Sequence, residues 1–73
     1  MKTYSGGTNV NSEFVYLKTI DGKDLYLKIN QIESVIVDGK NIELWTTGAT
    51  TKYRIHPASK MILWLLLELE EAI

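Results

Sequence analysis

One histidine, no cysteine and nine carboxylates are what this 73-residue chain offers for chemistry. His56 lies between Ile55 and Pro57, and without a Cys or a second His the usual zinc ligand sets cannot be completed. A Ser59–His56–Asp combination exists by residue type, but no nucleophile elbow presents the serine and nothing in the spacing makes the groups converge. Glu33 with Glu43, and Glu70 with Glu71, are carboxylate pairs; acid–base work would require one member of a pair to be desolvated in a cleft, and a solvated face is the simpler reading. The two Asp-Gly-Lys stretches lack both the twelve-residue oxygen pattern of a calcium loop and the glycine-rich loop ending in Lys-Ser/Thr that cradles phosphate. The sequence therefore nominates no catalytic, cofactor-binding or metal-ligating residue, and the expectation is a protein that is not an enzyme and carries no cofactor.

One constellation has a chemical shape. Tyr16, Tyr26 and Trp45 interleave with Lys18, Lys28, Lys52 and Arg54. Aromatic rings stack on bases and cations neutralise phosphates, so this set defines a possible ligand face, and a small β-barrel-like single-stranded nucleic-acid-binding protein is the alternative reading. Asp24, Glu33 and Glu43 fall among the cations, and the formal net charge is −1. Both facts argue against a nucleic-acid partner, and cross-strand aromatic pairs are ordinary sheet stabilisers.

The elements that must position these residues are legible from a short internal repeat. "IDGKDLYLK" begins at Ile20 and "VDGKNIELW" at Val37, each a turn followed by apolar residues at alternate positions. Parity selects the loop length. At the first turn a two-residue loop would mix polar and apolar residues on both faces. A three-residue loop, Ile20-Asp21-Gly22, pairs Leu17 with Leu25 and Val15 with Leu27 on one side, and Tyr16 with Tyr26 and Lys18 with Asp24 on the other. The same loop at Val37-Asp38-Gly39 gathers Ile32, Ile36, Ile42 and Leu44 on one face and sets Glu33 opposite Glu43. A two- or four-residue loop around Gly48 then keeps Tyr53 and Ile55 with Leu44 and brings Lys52 or Arg54 to Glu43. The expected fold is α+β: a curled five-stranded antiparallel β-meander, small, open and barrel-like (about 14–20, 23–29, 32–37, 40–46 and 51–56), closed by one C-terminal α-helix from about 57 to 72. Pro57 suits the first helical turn, with Ser59 as a later possible start.

In that helix Ile62, Leu65, Leu66, Leu69 and Ile73 share one face, assigned to the concave side of the sheet. Leu63, Trp64 and Leu67 point elsewhere: either the sheet curls enough to wrap the helix and cover them, or a second copy or another protein does, and the second is the expectation because contiguous exposed apolar patches generally mark interfaces. The end charges are adverse, with Lys60 near the positive end of the helix dipole and Glu68, Glu70 and Glu71 near the negative end. Each misplacement costs only about 0.3–1 kcal/mol, whereas fully burying a Leu contributes roughly 1.5–3 kcal/mol. Burial is expected to hold this helix.

Length and composition bound the rest. A chain of this size forms one small domain whose stability profits from a shared core, so self-association is a natural expectation. Its 45% hydrophobic and 23% charged residues are those of a globular protein. Absence of cysteine excludes a disulfide scaffold and fits a cytoplasmic setting. Residues 1–12, rich in Ser, Gly, Thr and Asn, read as a flexible tail without a signal-peptide core, leaving 13–73 as the domain. The apolar run Met61–Leu67 is far short of a membrane span.

Residues 14–56, through the stretches "LKTIDGKDLYLKINQIESV", "ELWTTG" and "KYRI", resemble the FlbD-type small flagellar and swarming-motility proteins of bacteria. The resemblance implies a non-enzymatic accessory protein that acts through contacts, and its shared positions are structural, so it assigns no functional residue. A bacterial or phage accessory protein binding itself or another protein is the functional expectation.

Overall fold

Alternation of apolar and polar residues directs one side of the strands Phe14–Lys18, Asp24–Lys28 and Asn41–Thr46 inward, and strand is the main regular structure of the chain. The strands are β1 (Lys2–Ser5), β2 (Phe14–Lys18), β3 (Asp24–Lys28), β4 (Ile32–Asp38), β5 (Asn41–Thr46) and β6 (Lys52–Ile55). A 3-10 turn, Ile29–Gln31, joins β3 to β4, and helix α1 (Ile62–Glu68) is followed by a last strand, β7 (Glu70–Ala72). The computed structural model describes residues 1–6 and 11–72.

Five strands form an antiparallel sheet in the order β6-β5-β4-β1-β7, and β2 and β3 form a separate two-stranded ladder. The two meet at a corner around the bridge between Thr19 and Ile55. There Ile20 N–H donates to the Arg54 carbonyl at 3.0 Å and His56 N–H donates to the Lys18 carbonyl at 2.8 Å. The fold is thus α+β, mostly strand and antiparallel, and among the described residues no closed barrel forms.

The expected five-stranded antiparallel sheet with one helix is present, but the strands that make it up differ from those of a simple meander. Only β4-β5-β6 run in meander order; the 3-10 turn takes β4 away from β3, and the two remaining places in the large sheet are filled by the chain ends. β1 lies between β4 and β7, with Thr3, Tyr4 and Ser5 paired on one side to Ile36, Val35 and Ser34 and on the other to Ala72, Glu71 and Glu70. Reading all of residues 1–12 as a tail is corrected accordingly. A strand paired on both sides is held by its backbone, and a single inward side chain, Tyr4 against the core, suffices to seat it. Positions 7–10 of that stretch lie outside the described residues.

The first hairpin has the expected register, pairing Val15 with Leu27, Tyr16 with Tyr26, Leu17 with Leu25 and Lys18 with Asp24. Gly22 adopts φ +86°, and its N–H donates to the Thr19 carbonyl at 3.0 Å. The second hairpin differs from expectation. Val37 pairs with Ile42 and Asp38 with Asn41, leaving a two-residue loop, Gly39-Lys40, with Gly39 at φ +61° in the first position. Ile36 therefore lies opposite Glu43 on the outer face, and a register shift between Ile32 and Ser34 returns Ile32 to the interior. The bulge lets Ile32 and Val35 both be buried, and the expected Glu33–Glu43 opposition does not occur. The third turn keeps the expected parity, pairing Leu44 with Tyr53 and Glu43 with Arg54, with residues 47–51 between the two strands.

The helix is shorter than the expected 57–72. Residues 56–61 run beside β2, where Ser59 Oγ accepts from Lys18 N–H at 3.1 Å and Met61 Sδ accepts from Tyr16 N–H at 3.3 Å. Covering the free edge of β2 in this way delays the helix to Ile62. At its end Leu69 is extended (φ −95°, ψ 158°), which aims Glu70–Ala72 at β1. Ile73, expected on the inner helix face, lies outside the described residues. Ile62, Leu65 and Leu69 are buried with Val15, Leu17, Ile29, Ile32, Val35, Leu44 and Ile55, and Leu66 is half-buried against them.

Candidate functional site

Two surfaces carry the candidate residues. On α1 the side chains of Leu63 and Leu67 stand one turn apart and are 74% and 85% exposed. Trp64, expected beside them, is half-buried against the core, as is Leu66. A surface groove of ≈ 550 Å³ is lined by Tyr4, Leu63, Leu66, Leu67, Leu69 and Glu71. Tyr4 and Glu71 reach it because β1 and β7 are neighbours, and Lys2 Nζ lies 3.6 Å from the Glu71 carboxylate. Sequence reasoning missed Tyr4, whose only signal is an aromatic residue in an otherwise small and polar stretch.

The aromatic and basic set is divided between the two ladders. Tyr16 and Tyr26 face each other across β2 and β3 with ring centroids 4.9 Å apart at 33°. Beside them Asp24 Oδ1 accepts from the Tyr16 hydroxyl at 2.6 Å and lies 3.0 Å from Lys18 Nζ. The Tyr16 hydroxyl, and after it Lys18, hold the Asp24 carboxyl below the ordinary aspartate value. The same two bonds to Asp24 raise the Tyr16 phenol and the Lys18 ammonium above theirs. Lys28 Nζ sits over the Phe14 ring, 5.6 Å from its centroid.

On β5 and β6, Trp45 pairs with Lys52 and with Ser34, and Lys52 Nζ binds Glu43 at 2.9 Å. Arg54 Nη2 donates to Asn41 Oδ1 at 3.5 Å. Lys18 and Lys52 are therefore matched by carboxylates within the chain, and the ligand face is built as pairs of internal partners.

A second groove, ≈ 540 Å³, lies where the β2–β3 turn approaches β6; Ile20, Asp21, Lys23, Leu25, Tyr53 and Arg54 are among its lining residues. The Asp21 carboxyl there is lowered chiefly by the hydrogen bond from the Thr19 hydroxyl. Polar groups that could be drawn into a triad are engaged locally: His56 Nδ1 accepts from Ala58 N–H at 3.0 Å, and the Ser59 hydroxyl accepts the Lys18 amide. Among the described residues no three His, Cys, Asp or Glu side chains group as a metal site, and no helix is long and apolar enough to cross a membrane.

Comparison with protein-family models, with curated proteins and with solved structures finds no match to this chain.

Proposed function

We propose that this chain is a small non-enzymatic protein-interaction module, a cytoplasmic accessory protein of a bacterium or phage, that self-associates through the outer side of α1. The observation that carries the reading is the exposure of Leu63 and Leu67 one turn apart, continuous with an apolar groove. Two leucines left in water on a helix forgo roughly 1.5–3 kcal/mol each that burial would provide. Trp64 belongs to this interface only through its exposed part, because the rest of its ring serves the core.

The test is analytical ultracentrifugation of the wild type beside Leu63→Gln/Leu67→Gln. Self-association of the wild type and a smaller assembly for the variant, with unchanged far-UV circular dichroism, are expected. A wild type whose assembly state equals that of the folded variant at every concentration refutes the helix contact.

A further inference from the structure

Among the described residues, the outer edge of β3 pairs with no other strand. Thr19 N–H donates to the Lys23 carbonyl at 2.9 Å and Ile29 N–H to the Glu13 carbonyl at 3.0 Å, which fixes the phase of the β2–β3 ladder. Antiparallel pairing alternates, so Leu25 and Leu27 turn their backbone groups to β2, whereas Asp24, Tyr26 and Lys28 turn theirs outward. The amides of Tyr16 and Lys18, which face away from β3, agree with this phase. Among the described residues this edge meets Gln31, whose Oε1 accepts from Lys28 N–H at 3.4 Å, and the Lys28 carbonyl opens the 3-10 turn Ile29–Gln31, so Asp24 and Tyr26 carry the open part of the edge. Tyr26, at its centre, is 67% exposed. An open edge of this kind is a template for another strand.

The sequence of β3 says which strand. Laid antiparallel on itself about Tyr26, Asp-Leu-Tyr-Leu-Lys sets Asp24 against Lys28 of the other copy, Leu25 against Leu27 and Tyr26 against Tyr26. We infer that β3 pairs edge to edge with β3 of a second copy of this chain, centred on Tyr26, making a four-stranded sheet from the two β2–β3 ladders. The outward amides and carbonyls of Asp24 and Tyr26 then find partners, and the Lys28 amide exchanges Gln31 for backbone. On the outer face each Asp24 stands between Lys18 of its own chain and Lys28 of the other, and the Tyr16–Tyr26 pairs join into a row of four rings. Half-buried Leu25 and Leu27 meet their counterparts on the inner face. The contact is isologous and uses no residue of α1.

Charge reversal tests the register. In the Leu63→Gln/Leu67→Gln chain, which lacks the helix contact, Asp24→Lys and Lys28→Glu are made separately. Each reversed chain opposes like charges at both ends of the β3 pair and is expected to be monomeric. Mixed in equal amounts they restore both opposite-charge pairs, and a one-to-one heterodimer is expected, with the Tyr26 amide slowed in hydrogen exchange. Tyr26→Pro, which removes an outward N–H and leaves the β2 ladder intact, serves as a second disruption if Asp24→Lys loses its fold. A monomeric parent chain, a single reversal that still dimerises, a mixture of folded chains that stays monomeric, or a folded Tyr26→Pro chain that dimerises overturns the inference. The helix reading is judged separately, by comparing the parent chain with wild type.

Discussion

Asp24 joins three strand positions through one oxygen, accepting from Tyr16 directly across the diagonal and pairing with Lys18 opposite. Because the folded carboxyl titrates below its unfolded value, its stabilisation is complete above the unfolded value and is lost as pH falls through the depressed one. Asp21 behaves alike. Tyr16 and Lys18, raised in the fold, stabilise below their unfolded values, and that contribution is lost as pH rises beyond about 10. Tyr16→Phe removes the larger influence on Asp24, so the Asp24 midpoint, followed by carboxylate NMR, should move up toward the ordinary aspartate value while remaining below it because Lys18 persists. An unmoved midpoint would assign the depression to Lys18 instead.

At the scale of the element, the end of β1 and the end of α1 meet at Gly6. A Cβ there would stand 2.5 Å from the Ile32 carbonyl oxygen and 2.8 Å from Leu69 Cδ2, and backbone cannot move aside as a flexible side chain can. Gly6→Ala should destabilise by about 1–3 kcal/mol, read as a lowered urea midpoint. On α1 the two sides should separate cleanly. Leu65 is fully buried, and Leu65→Ala should cost about 2–5 kcal/mol. Leu67→Gln, in contrast, should leave monomer stability within about 0.5 kcal/mol of wild type, because its side chain is already solvated. Equal losses in the two variants would show that Leu67 belongs to the core.

For the whole molecule, both chain ends are structural. β1 separates β4 from β7, so deletion of Met1–Ser5 removes an interior strand, strips β7 of its partner and uncovers Val35. The truncated chain should lose the cooperative thermal transition, which differential scanning calorimetry would detect; a retained transition at the wild-type temperature would mean that residues 1–5 are dispensable. The two proposed contacts, through α1 and through β3, would together have a consequence for assembly. A molecule with two such surfaces grows beyond a dimer, into a closed ring or an open chain. Light scattering should show wild-type assemblies larger than those of either the Leu63→Gln/Leu67→Gln or the Lys28→Glu chain.

By itself the sequence determined what local parity can determine. The alternation around Ile20-Asp21-Gly22 fixed the pairing of β2 with β3, and with it the Tyr16–Tyr26 contact and the Asp24–Lys18 pair. The sequence also determined the strand-rich α+β class and an apolar C-terminal helix with more leucine than one face can bury. Tertiary structure decided the rest. The Gly39-Lys40 loop exists because a bulge at Glu33 resets parity, and a bulge leaves no trace in a strict period of two. Trp64 became half-core because the helix docks with that side partly inward, an orientation that depends on where β2 and residues 56–61 lie. Strand β1, and the ending of the helix at Glu68, depend on each other across the whole chain: Tyr4 and Glu71 are neighbours only after folding, and long-range backbone pairing has no local signature for a sequence to display.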